Sequence, residues 1–146
     1  MTPSTCSADI DRPAIEVFAY ATDPSRFHEW QRGVVSGHMD TDNGPRIGDR
    51  CVMVRRIGFA TRPSTSQLVH LDPPRTWRVH GIDGPIRATV DVTVERLTPN
   101  RSHLTINVDF EGHGIGALLV PIVRRQARAE MPNNIAHLKA RLEHDI

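Results

Sequence analysis

Ile115–Glu143 reads IGALLVPIVRRQARAEMPNNIAHLKARLE, and the folding of this stretch decides the architecture. Val123, Ala127, Met131, Ile135, Leu138 and Leu142 recur at spacings of four and three, which is one apolar face of an α-helix. No other long helical pattern occurs in the chain. Drawn as a single helix, the stretch would extend about 43 Å, enough to cross a small domain. A helix with an apolar stripe must bury it against another element. What precedes it reads mostly as strand, so the partner is a curved sheet. Sheet and helix are expected to enclose a cavity.

Two prolines complicate that helix. Pro121 sits near its start, where proline is tolerated. Pro132 sits deep inside, where its ring opposes the carbonyl of Arg128 and removes a hydrogen bond. Leu118, Leu119 and Ile122 fall roughly opposite Met131, Ile135 and Leu138 on an ideal helix. Either the helix begins at Pro121, or it bends near Met131–Pro132 so that both stripes face the sheet. Prolines are the usual cause of sharp bends, so the bend is expected.

The clearest strands lie just upstream. Ile86, Ala88, Val90, Val92 and Val94 alternate with Arg87, Thr89, Asp91, Thr93 and Glu95. After a turn at Thr98–Ser102, Leu104, Ile106, Val108 and Phe110 alternate with Thr105, Asn107, Asp109 and Glu111. Two neighbouring strands with matching one-sided polarity predict an antiparallel sheet covered on one face. Further back, strands are expected over Thr76–His80, Thr65–Leu71, Cys51–Ile57, Val34–Asp40 and within Thr2–Ile10. Gly58 and Pro63 are expected to bracket a turn region, and 42–45 to form another turn. Asp11-Arg12-Pro13 opens a short helix with Pro13 as its first residue. Asp23-Pro24 opens a second, with Asp23 as N-cap and Phe27 and Trp30 on one face. The fold class is therefore α+β: about seven antiparallel strands curved around one long C-terminal helix, with two short helices after the first strand.

Bulk properties narrow the function. A chain of 146 residues is expected to be one domain, 1–146, large enough to bury a core and a pocket. Its net charge of +1 gives no field that favours nucleic acid. No apolar run nears the length of a membrane span, and Met1–Ile10 lacks signal-peptide character, so a cytoplasmic protein without stable membrane insertion is expected. Cys6 and Cys51 have no paired spacing and read as reduced, packed thiols.

In this order of elements the chain resembles the SRPBCC superfamily, the START-like helix-grip fold, in its polyketide cyclase/dehydrase-like branch. Ile10-Asp11-Arg12-Pro13-Ala14-Ile15-Glu16-Val17-Phe18 is similar to the family's strand-to-helix opening. Thr22-Asp23-Pro24 followed by Trp30 looks like its second helix. Gly44-Pro45-Arg46-Ile47-Gly48-Asp49-Arg50 is similar to its glycine-bearing loop, and Leu71-Asp72-Pro73-Pro74-Arg75 to its strand-ending turn. The likeness covers nearly the whole chain. It implies an internal cavity lined from the sheet by Trp30, Met53, Arg55, Trp77, Val79, Val90, Val92, Ile106 and Val108, and closed from the helix by Ile122, Gln126 and Met131. For any single aliphatic residue among these, plain core packing is the commoner role.

Few side chains invite chemistry. Arg55 shares strand parity with Cys51 and Met53; facing inward, it would hold a carboxylate or a polarised carbonyl. His80 is the best acid/base candidate, although its parity opposes Trp77 and Val79. The eight histidines are scattered singly, so no metal is expected, and no motif calls for a cofactor. Arg124, Arg125 and Arg128 read as a solvated helix face or a membrane-surface contact. Three functions remain: a carrier or sensor of a small hydrophobic ligand such as a lipid, polyketide or aromatic metabolite; a polyketide cyclase or dehydratase using Arg55 or His80; and a ligand-free protein-interaction module. Ligand identity and oligomeric state are beyond the sequence.

Overall fold

The alternation on either side of Thr98–Ser102 becomes the longest pairing in the fold. In the computed structural model, which describes residues 4–40, 45–57 and 60–144, β6 (Ile86–Thr98) and β7 (Arg101–Gly112) pair antiparallel. Val90 opposes Val108, Val92 opposes Ile106 and Val94 opposes Leu104. Opposed residues share a face, so these six aliphatics form one apolar surface. The other strands are β1 (Ser4–Ile10), β2 (Val34–Met39), β3 (Arg50–Ile57), β4 (Ala60–Asp72) and β5 (Thr76–Gly81). All seven join one antiparallel sheet in the order β1-β7-β6-β5-β4-β3-β2. Consecutive strands neighbour one another, and only β1 crosses the sheet to reach β7.

The sheet curls into a half-barrel, and its concave side carries the helices. α2 (Val120–His144) packs chiefly on β1 and β7, and α1 (Ala14–Ala21) on β6 and β7. A 3₁₀ segment at Pro24–Glu29 packs on β2 and β3. The α+β helix-grip fold is as expected. Among the described residues no helix is long and apolar enough to cross a membrane.

Several local expectations are corrected. α2 begins at Val120, after a 3₁₀ turn at Gly114–Leu118, and Pro132 lies within it. Its buried face is Val120, Arg124, Ile135, Leu138 and Leu142. Leu118, Leu119 and Ile122 remain exposed, so the two stripes do not both face the sheet. Of the two accounts, a late helix start is the one observed. Pro63 is not a turn residue: it lies inside β4, opposite Val54. β4 is paired with β3 from Ala60 onward but with β5 only from Ser66. At Pro63 the other side of the strand is therefore an edge, where a missing N–H costs no ladder bond. Pro13 is the N-cap of α1 rather than its first helical residue. Asp23 caps the second segment as expected, its carboxylate accepting from the Ser25 amide at 3.0 Å. Of the expected turns, Asp42, Asn43, Gly44 and Gly58 lie outside the described residues, as do Thr2 and Pro3 of the first expected strand.

Charge clusters fasten the helices to the sheet. Glu29 accepts hydrogen bonds from Tyr20, Arg26 and Arg141, joining the 3₁₀ segment to α1 and α2. Arg12 donates to the carbonyl of Leu142 at 2.6 Å, and the Asp11 amide donates to the Glu143 carboxylate at 2.9 Å. The Arg26 hydrogen bond, more than any other contact, holds the Glu29 pKa below the ordinary 4.5. For Glu143 the Asp11 amide does the same. Groups with depressed folded-state pKa values stabilise the fold above their unfolded pKa, and that stability is lost as pH falls through the folded value. The melting temperature is therefore expected to be flat from neutral pH to about pH 5 and to fall below 4.5. Glu29→Gln should flatten part of that acid slope in a pH series of thermal melts. An unchanged slope would remove Glu29 from the account.

Candidate ligand-binding cleft

The concave face is fully buried at one end and only half-buried at the other. At the filled end Ile10, Leu68, Trp77, Val94 and Leu104 pack with Leu138 and Leu142 of α2 and Val17 and Phe18 of α1. Towards the opposite end Ala88, Val90, Val108 and Phe110 are only half-buried, and Ser64 is exposed. α2 covers the β1–β7 side and the 3₁₀ segment the β2–β3 side, so the middle strands at that end are the least covered.

Strand register places the candidate residues. Met53, Trp77, Val79, Val92 and Ile106 are buried on the concave face, and Val90 and Val108 continue it towards the half-buried end. Trp30 caps the 3₁₀ segment and is buried, edge-on to Phe27 at 5.7 Å. Phe27 in turn meets Trp77 edge-on at 6.3 Å, so the three rings line the sheet beneath the segment. Among the described residues the Trp30 indole N–H has no hydrogen-bond partner. Met131 packs half-buried against the core from α2. Ile122 and Gln126 do not close the cleft. Both are exposed on the outer side of α2, and Gln126 donates to Glu130 of the same helix. Their positions lie roughly opposite the buried stripe at 3.6 residues per turn.

Arg55 is the polar centre of the concave face. It follows Cys51 and Met53 on the inward parity of β3 and is half-buried. Desolvation lowers its pKa, and the attraction of Cys51 and of Glu130 on α2 partly opposes that. Among the described residues its guanidinium forms no hydrogen bond and no ion pair. Directly across the ladder stands Arg62 of β4. The two arginines are cross-strand neighbours on one face, an arrangement that is destabilising unless an anion separates them. Cys51 is buried beside Ser66, and desolvation pushes its thiol up to about 11, which makes it a poor nucleophile.

His80 is on the convex face, where its Nδ1 lies 2.7 Å from the Thr89 hydroxyl. It does not reach the cleft. Among the described residues no group of three or more His, Cys, Asp or Glu side chains is placed to hold a metal ion. Two members of the site were missed in the sequence. Arg62 was hidden by Pro63, whose reading as a turn removed its strand register. Glu130 sits half-buried on α2, off the apolar stripe that drew attention to the helix.

Comparison with known proteins agrees with this geometry. No functionally curated protein matches the chain. A START superfamily protein from Mycobacterium smegmatis is similar in fold, with a TM-score of 0.79 at 12% identity over 100% of both chains. The Zhui aromatase/cyclase from Streptomyces sp. R1128 is similar with a TM-score of 0.71 at 13% identity, over 98% of this chain and 96% of that one. The di-domain ARO/CYC BexL of the BE-7585A biosynthetic pathway gives a TM-score of 0.73 at 16% identity over 95% of this chain, which spans only 45% of that protein. At such identities the likeness is one of fold. The sequence itself carries more: residues 1–143 match the family model described as polyketide cyclase / dehydrase and lipid transport. A half-barrel gripping one long helix, matched along almost its entire length, makes the chain a member of that family.

Proposed function

We propose that the cleft binds a small, mainly apolar molecule bearing an anionic oxygen group, and that the protein is a carrier or sensor of it. The observation that carries this reading is the facing pair Arg55 and Arg62, neither with a carboxylate in ion-pair contact among the described residues. Two guanidiniums on one face, Arg55 half-buried and Arg62 exposed, with no carboxylate in contact among the described residues, suit a carboxylate, which a planar fork can grip at two points. The aliphatic rows around them suit an apolar body. On the inward rows of β1 and β3–β7 the described positions hold no His, Asp or Glu; the polar groups there include Cys6, Cys51, Arg55, Arg62 and Arg96. A lining without an imidazole or carboxylate favours binding over acid–base catalysis.

A cyclase or dehydratase is the second reading, and Glu130 favours it. That carboxylate is near enough to attract the Arg55 guanidinium but is not in ion-pair contact with it among the described residues. In such an enzyme Arg55 would steady a developing enolate and Glu130 would take the proton. An interaction module without ligand fits less well, because it leaves Arg55 on the concave face without a carboxylate in contact among the described residues.

Native mass spectrometry of freshly purified protein, followed by organic extraction, tests the proposal. A bound acidic, apolar small molecule is the expected result. A bound neutral molecule, with no acidic one extracted, would overturn the anionic part of the reading. Should a bound molecule be chemically altered on incubation, and should Glu130→Gln stop the change while binding persists, the enzyme reading wins.

A further inference from the structure

Outside the cleft, the least expected surface is the corner where the 3₁₀ turn Gly114–Leu118 meets the first turns of α2. Ile115, Leu118, Leu119 and Ile122 are 75%, 77%, 45% and 64% exposed there. Single exposed aliphatic residues are ordinary, but four within eight positions form a patch. The patch has a mainly basic border, in which Arg124 is paired with Asp109 at 3.3 Å. A groove of about 350 Å³ beside it is lined by Pro121, Arg124, Arg125 and Arg128. Between Gly114 and Ala129 the sequence contains no Asp or Glu. Arg125 and Arg128 are exposed and form no ion pair among the described residues. Ile122 and Arg125 are three apart, and Pro121 and Arg125 four apart, so apolar and basic side chains are neighbours on one surface.

We propose that this corner docks on an anionic lipid surface. Aliphatic side chains that enter the acyl boundary, beside arginines that meet headgroup phosphates, are the chemistry of an interfacial segment. A second copy of the chain fits less well. A two-fold interface would set each arginine cluster against its own image, at a cost in repulsion. The corner also adjoins the half-buried end of the cleft, since the 3₁₀ turn follows directly on β7 and packs against it. The proposal does not depend on what the cleft holds.

The test is cosedimentation of the full chain with vesicles of phosphatidylcholine alone and of phosphatidylcholine mixed with phosphatidylglycerol. Binding to the anionic vesicles, weakened by salt, is expected, with little binding to the neutral ones. Arg125→Gln and Arg128→Gln should each lower the affinity by about fivefold, and Leu118→Asp or Ile122→Asp by about tenfold or more. These side chains are exposed, so unchanged melting temperatures check that the variants fold. The proposal is overturned if anionic vesicles do not bind the protein, or if Leu118→Asp binds them as well as the parent. It is equally overturned if light scattering shows a dimer that Leu118→Asp dissociates, because the patch is then a self-interface.

Discussion

Arg55→Met is expected to raise the melting temperature while removing most of the affinity for an anionic ligand. In the ligand-free protein the guanidinium is partly desolvated, opposes Arg62 across the ladder and has no ion-pair partner among the described residues. An unbranched apolar side chain of similar length removes all of these costs. A gain of about 1 kcal/mol is reasonable for a half-buried site, because apolar replacement of buried charge is often stabilising. That corresponds to a rise of about 2–4 °C for a domain of this size. Binding moves the other way. Two charge-assisted hydrogen bonds at about 1.5 kcal/mol each amount to about a hundredfold in affinity. Anilinonaphthalene sulfonate and its uncharged relative phenylnaphthylamine are suitable fluorescent probes. The parent should prefer the sulfonate, and Arg55→Met should bind both alike. Arg55→Lys keeps the charge but loses the planar fork, so it should fall between the two. If Arg55→Met is destabilised and keeps its preference for the sulfonate, Arg55 is a structural residue and the proposed site is wrong.

The second large effect is expected at Gly116. A Cβ there would lie 2.0 Å from the carbonyl oxygen of Pro85 and 2.5 Å from its carbonyl carbon. Both are backbone atoms and cannot rotate away. Gly112 is equally confined, since its Cβ would approach the Cα of Ala117 to 2.3 Å. The two glycines let the turn before α2 sit against the loop between β5 and β6, where the His113 amide also bonds the Pro85 carbonyl at 2.8 Å. Gly116→Ala must therefore push the turn off its seat. Overpacking of this kind costs about 3 kcal/mol, or about 6–12 °C in melting temperature. Thermal denaturation measures it directly. A melting temperature within a degree or so of the parent would mean that this seating contributes little to the fold.

The parts of the fold legible in the sequence are those in which one physical demand sets the pattern. β6 and β7 have one wet face and one buried face, so Val90, Val92, Ile106 and Val108 showed their orientation by alternation alone. Ile135, Leu138 and Leu142 likewise marked the buried face of α2. The reading failed where two demands overlapped. β3 was ambiguous because Arg55 and Arg56 are adjacent on opposite faces, and only its register with β2 and β4 separates them. Pro63 signals a break in any sequence, and its place in a strand rests on an unpaired edge that belongs to the assembled sheet. Leu118, Leu119 and Ile122 were expected to be buried because they are apolar. Nothing in the chain itself shows that the sheet surface is already taken up by the later turns of the helix. The Arg55–Arg62 pair was out of reach for the same reason as Pro63, since it depends on tertiary pairing.

The anchoring of the last helical turn has a consequence for synthesis. Arg12 and the Asp11 amide find their acceptors in residues 142 and 143, more than a hundred positions downstream. Leu138 and Leu142 fill the concave face at its closed end. A ribosome therefore delivers all seven strands before it delivers the helix that covers β1 and β7. Until then the nascent sheet exposes its Val, Ile and Leu rows to whatever else is in the cell, and a ligand or a chaperone can meet that face before α2 does.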